Sequence, residues 1–113
     1  MGLRHLSLKT VDLEQTERFY TEVLGLRVAF RHRGMVFLRS AGAQDLLDFC
    51  QVAEPFDPEA GGLDHFGVHV SREQFRALRE RVKAEGVKVV GRRGRWGLYF
   101  KDPNGYTIEI YAD

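Results

Sequence analysis

Four residues in this chain have the types and spacing of a divalent-metal site. His5, in Arg4-His5-Leu6-Ser7-Leu8, is matched 60 positions later by His65, in Asp64-His65-Phe66-Gly67-Val68. Asp48 and Glu109 stand 61 positions apart, the offset that also separates Gly25, in Leu24-Gly25-Leu26-Arg27-Val28, from Gly86, in Glu85-Gly86-Val87-Lys88-Val89. The chain therefore reads twice, and superposing its halves brings imidazole onto imidazole and carboxylate onto carboxylate. Two neutral nitrogens and two anionic oxygens around one point suit Mn, Fe, Co, Ni or Zn, and the donor set does not choose among them. Such an ion with open positions is a Lewis acid able to hold two adjacent oxygens of a small molecule. The competing reading is plain: a histidine on a strand is commonly an ordinary polar position, and Glu109 could lie on the wet face of an edge strand. Pairing by the repeat, His with His and acid with acid, is what favours the site.

Strand parity tells where each of the four must point. Leu3 to Thr10 alternates, with Leu6 and Leu8 on one face and His5, Ser7 and Lys9 on the other, the period of a half-buried strand. His65 opposes Phe66, Val68 and Val70; Asp48 opposes Leu47 and Phe49; Glu109 opposes Ile108 and Ile110. Each candidate ligand thus faces away from the apolar side that a helix would cover.

The supporting elements follow in the same order twice. Asp12 is an N-cap with Gln15 in the capping-box position, and Thr16, Phe19, Tyr20, Val23 and Leu24 continue at helical spacing to Gly25. Strands are expected over 26–30, 35–40 and 45–52, with Arg31-His32-Arg33-Gly34 as a turn. Residues 53–62, with Pro55, Pro58, Gly61 and Gly62, have linker chemistry. A strand over 63–70 follows. Ser71 then caps a helix with Gln74 at the box position and Phe75, Leu78 and Val82 as its apolar stripe. Strands over 87–90, 96–101 and 106–111 complete the copy, the last two joined by the turn Asp102-Pro103-Asn104-Gly105. The expected fold is α+β: two βαβββ modules, 1–52 and 63–113, paired about a pseudo-two-fold into a cup-shaped mixed sheet with helices outside, forming a single domain over 1–113.

Composition narrows the classes of function. With 113 residues, 43% of them apolar and 12% aromatic, the chain can bury a modest core that its halves would share. Seventeen basic residues against 16 acidic leave no basic excess for general nucleic-acid binding. The single Cys50 fits a reducing compartment, no apolar run approaches membrane-spanning length, and the N-terminal residues lack a signal-peptide core. These point to a cytoplasmic protein without nucleic-acid or membrane partners.

Further polar positions share the cup-facing parity. Lys9 and His69 each follow their module's histidine by four residues; they could bind an anionic substrate or move a proton, or simply form a polar rim. Cys50 and Tyr111 are likewise equivalent, Tyr111 able to donate a hydrogen bond to substrate and Cys50 a small buried filler. The basic turns Arg31-His32-Arg33 and Arg92-Arg93-Gly94-Arg95 correspond across the repeat and are suited to carboxylate or phosphate recognition, though such turns are commonly just solvated. Arg76, Arg79, Arg81 and Lys83 read as the wet face of the second helix.

Several segments together resemble the vicinal oxygen chelate superfamily, which includes glyoxalase, fosfomycin-resistance, bleomycin-resistance and extradiol dioxygenase proteins. They are Arg4-His5-Leu6-Ser7-Leu8, Phe19-Tyr20-Thr21-Glu22-Val23-Leu24-Gly25-Leu26, Leu63-Asp64-His65-Phe66-Gly67-Val68 and Phe100-Lys101-Asp102-Pro103-Asn104-Gly105-Tyr106-Thr107-Ile108-Glu109. The resemblance implies paired βαβββ modules around a metal cup, with metal positions at His5, His65 and Glu109. The fourth, a carboxylate in glyoxalase I, falls on Asp48. It implies a small-molecule substrate, one divalent ion and a homodimer. The implied activity is a glyoxalase-type lyase or isomerase that stabilises an enediolate or oxyanion, with Glu109 as catalytic base. Thiol transfer to an electrophile, as in fosfomycin-resistance proteins, and metal-free sequestration of a drug or metabolite, as in bleomycin-resistance proteins, are the alternatives.

Overall fold

The computed structural model describes residues 1–113, which divide into two compact units, Met1–Phe56 and Asp57–Asp113. Unit 1 contains β1 (His5–Thr10), α1 (Leu13–Arg18), β2 (Arg27–His32), β3 (Met35–Arg39) and β4 (Leu46–Gln51). Unit 2 contains β5 (Phe66–His69), α2 (Arg72–Ala84), β6 (Val89–Arg92), β7 (Gly97–Lys101) and β8 (Thr107–Tyr111). Each is a βαβββ module with a mixed four-stranded sheet. The orders are β1-β4-β3-β2 and β5-β8-β7-β6, the first pair parallel and the others antiparallel.

The order places β4 and β8, the strands that carry the acids, second in their sheets. Each therefore has hydrogen-bonded neighbours on both sides. Their alternate side chains Phe49, Ile108 and Ile110 are fully buried, with Leu47 nearly so. In unit 1 this apolar face meets Tyr20, whose ring lies 4.9 Å from that of Phe49. In unit 2 the stripe of Phe75, Leu78 and Val82 is buried as its spacing requires.

Both helices start as their caps dictate. Asp12 accepts from the Gln15 backbone N–H, and Ser71 with Gln74 forms a complete capping box. Their ends differ. After Arg18 the first helix widens into a π-helical turn over Phe19–Val23, which places Tyr20 and Val23 in the core. The chain leaves both helices through a left-handed glycine, Gly25 at φ 80° and Gly86 at φ 66°.

Several strands are shorter or shifted relative to their apolar patterns. Val87 does not open β6, because its N–H is used to end α2 on the Val82 carbonyl. β5 begins at Phe66, opposite Ile108, rather than at Leu63. β2 runs on through His32, so the expected four-residue turn shrinks to Arg33-Gly34. The outer strands β2 and β6 carry matching register shifts at Ala29 and Val90, again 61 residues apart. Bulges of this kind bend an edge strand and blunt it against further pairing.

Candidate functional site

The four candidate ligands are brought together as two pairs, one in each unit. In unit 1, β1 and β4 run parallel with Ser7 opposite Asp48. His5 Nε2 lies 2.7 Å from Asp48 Oδ1, and Ser7 Oγ donates to Asp48 Oδ2 at 3.0 Å. The Asp48 side chain is buried, whereas the His5 ring is about half exposed. Phe37, opposite Asp48 on β3, sits 6.4 Å from the His5 ring and stacks on Phe30 at 4.2 Å.

In unit 2, His65 stands one residue ahead of β5. Its Nδ1 lies 2.6 Å from Asp64 Oδ2, and its Nε2 lies 3.5 Å from Glu109 Oε1. A carboxylate facing Nδ1 accepts a hydrogen bond from its N–H, which leaves the Nε2 lone pair free in the neutral ring. Tyr99, opposite Glu109 on β7, meets the His65 ring edge-on at 5.1 Å. Glu109 is buried, and its Oε2 accepts from Arg93 Nε at 2.7 Å, with Arg93 Nη2 also 2.7 Å away in the same ion pair. Glu109 and then Tyr99 push the Arg93 pKa above the ordinary arginine value, so the guanidinium stays charged throughout the working range.

The remaining candidates lie along the same strands. Lys9 is exposed on β1 opposite Cys50, which is part-buried rather than filling the core. His69 pairs with Tyr111 in the β5–β8 register, their rings 5.2 Å apart, and its Nε2 is 3.2 Å from Asp113 Oδ1. Of the basic turns, Arg31 is spent on a two-point ion pair with Glu17, and Arg93 serves Glu109. A cavity of about 490 Å³ opens in unit 2, bordered by Asp64 and Tyr99, which flank His65, and by Gly91, Arg92 and Thr107.

Three contributors were not legible as site residues. Asp64 carries a signal, a carboxylate directly beside a candidate ligand histidine. Ser7 carries one too, the parity it shares with His5. Arg93 carries none that separates it from Arg92 and Arg95.

With this fold and these pairs in place, comparison with known proteins identifies the class. Residues 2–110 match the glyoxalase/bleomycin resistance protein/dioxygenase superfamily, and the chain belongs to it. It is 31% identical to lactoylglutathione lyase of Neisseria meningitidis, over 97% of this chain and 89% of that protein. It is 27% identical to glutathione transferase FosA of Serratia marcescens, over 98% of this chain and 80% of that one. Among solved structures it is similar to an integron cassette protein from the mobile metagenome of a Halifax Harbour sewage outfall. The TM-score there is 0.80 and the identity 27%, covering 99% and 98% of the two chains.

The superfamily includes metal-dependent members, and the donor chemistry of each pair fits a divalent ion. Neither unit gathers three or more His, Cys, Asp or Glu side chains; each supplies two. Two donors ~2.1 Å from one ion and at right angles stand about 3 Å apart. The imidazole–carboxylate separations of 2.7 and 3.5 Å bracket that edge. The Asp64–His65 contact is the orienting bond that ligating histidines generally make through their other nitrogen.

Proposed function

We propose that this chain is a divalent-metal-dependent enzyme of glyoxalase type, acting on a small molecule with adjacent oxygens. His5, Asp48, His65 and Glu109 are the ligands in this reading, and the modules 1–52 and 63–113 act as one functional domain, assembled as a homodimer. The observation that carries it is the Asp64–His65–Glu109 line. It presents an oriented Nε2 and one carboxylate oxygen side by side.

A bound ion would supply Lewis acidity, stabilising the negative charge of an enediolate or oxyanion on the substrate. The protein's part is proton transfer and orientation. Glu109 would serve as base once Oε1, the oxygen not held by Arg93, loosens from the ion during turnover; it then takes a proton from the carbon beside a carbonyl and returns it to the neighbouring carbon. Tyr111, Lys9 and His69 bind the substrate's polar groups. His69 and Tyr111 already pack together, which favours their acting as one surface.

A second reading, thiol transfer to an electrophilic small molecule, draws support from the Serratia relative, which matches nearly the whole chain. It uses the same His5, His65 and Glu109. Glu109→Gln separates the two when turnover is measured on a panel of vicinally oxygenated compounds that includes the thiohemiacetal leading to lactoylglutathione. The glyoxalase reading expects turnover of that substrate to fall by about 100-fold or more while metal content is largely kept. Equal loss of metal and turnover would sink the general-base role. An absence of turnover on the panel, with turnover of epoxides by thiols, would transfer the assignment to the second reading.

A further inference from the structure

Resting on the reading of Glu109 as a metal ligand, we infer that Arg93 is a positioning residue that fixes Glu109 to ligate through one oxygen. Arginine commonly straddles both oxygens of a carboxylate. Here Nε and Nη2 both converge on Oε2, each at 2.7 Å. Oε1 is left to the His65 side, 3.5 Å from Nε2, which is too long for a hydrogen bond. The carboxylate is divided between two tasks, one oxygen anchored and one presented.

The fold makes room for this arrangement at one point. Arg93 N–H donates to the Gly97 carbonyl at 3.0 Å, closing the β6–β7 connection. A Cβ on Gly97 would stand 2.7 Å from the Arg93 carbonyl oxygen, 2.9 Å from Arg93 Cβ and 3.3 Å from Glu109 Oε2. Any larger residue there displaces the Arg93 backbone from Glu109. The guanidinium is completed by the Tyr111 ring, with its carbon 5.7 Å from the ring centroid.

The repeat supplies a second line of support. In unit 1 the anchoring donor for Asp48 Oδ2 is Ser7, opposite Asp48 in the β1–β4 register. The position opposite Glu109 in the β5–β8 register is Gly67, which has no side chain to offer. A Cβ at Gly67 would meet the Tyr111 ring at 3.0 Å. Unit 2 therefore draws its anchoring donor from the β6–β7 connection instead of from the first strand. Each unit ties one oxygen of its acid and presents the other to an imidazole. A cation meeting Glu109 on one oxygen keeps a coordination position open for substrate that a two-oxygen carboxylate would fill.

Cobalt(II) titration of the full-length protein tests this, with affinity read by calorimetry and coordination by the visible absorption of bound cobalt. Wild type should bind cobalt with the spectrum of a low-coordinate site. In Arg93→Gln the freed Oε2 joins the ion, so the visible bands should weaken and shift. The affinity should tighten by about tenfold as a like charge is removed from beside the ion. Gly97→Ala, which keeps the guanidinium but moves it, should give the same spectral change, and Arg93→Lys should retain the wild-type spectrum. A purely structural Arg93 predicts weaker binding with an unaltered spectrum, and that result would overturn the inference. So would an Arg93→Gln spectrum superimposable on that of wild type. Failure of the wild-type protein to bind cobalt would instead remove the metal reading beneath it.

Discussion

Asp48 and Glu109 each give one oxygen to an anchoring donor and turn the other toward an imidazole. Ser7 is the donor for the fully buried Asp48. Ser7→Ala should therefore destabilise the protein by ~1.5–3 kcal/mol, the range for a hydrogen bond to a charged group, measured by urea unfolding. Asp64 fixes the ring of His65, so Asp64→Asn should weaken metal affinity by about 10- to 100-fold while leaving unfolding midpoints nearly unchanged. His5 Nε2 meets Asp48 Oδ1 directly, and a cation taking both atoms would need the neutral ring with its proton on Nδ1. The pairing of His5 with Asp48 and of His65 with Glu109 was legible from the constant offset and the strand parity. Arg93 was not, because a run of Arg92-Arg93-Gly94-Arg95 offers three similar cations. Only the close approach allowed by Gly97 decides which reaches Glu109.

At the scale of elements, the acid strands β4 and β8 are held on both edges, and their apolar faces carry the packing. Phe100, fully buried on β7, faces Ile108 across the β7–β8 ladder. Phe100→Ala should cost about 3–5 kcal/mol in chemical denaturation. Ser71→Ala removes one half of a complete capping box and should cost about 1 kcal/mol. Helix starts and the apolar stripes were readable because a cap is a local side-chain bond and a stripe is a simple period. The π-helical turn at Phe19–Val23 was not, since Tyr20 and Val23 fit an ordinary helical stripe nearly as well. The bulges at Ala29 and Val90 were also hidden, because one extra residue on one strand is a property of pairing rather than of either strand alone.

For the molecule as a whole, the repeat is carried through sheet order, bulge position and the acid–imidazole pairs. The site chemistry is duplicated with variation, Asp for Glu and Ser7 for Arg93 as anchoring donors. Membership in the glyoxalase/bleomycin resistance protein/dioxygenase superfamily accounts for the duplicated scaffold, and fold alone does not choose the reaction it runs. No helix is long and apolar enough to cross a membrane. The proposed homodimer is checked by light scattering coupled to gel filtration, where a mass near twice 13.0 kDa is expected. The shared site of His5, Asp48, His65 and Glu109 around one divalent ion is a proposal. Elemental analysis of protein purified without chelator, beside His65→Ala, tests it most directly. About one ion per chain in wild type, lost in the variant, is the predicted result. No metal even after reconstitution with Mn, Fe, Co, Ni and Zn, or full retention by the variant, would contradict it.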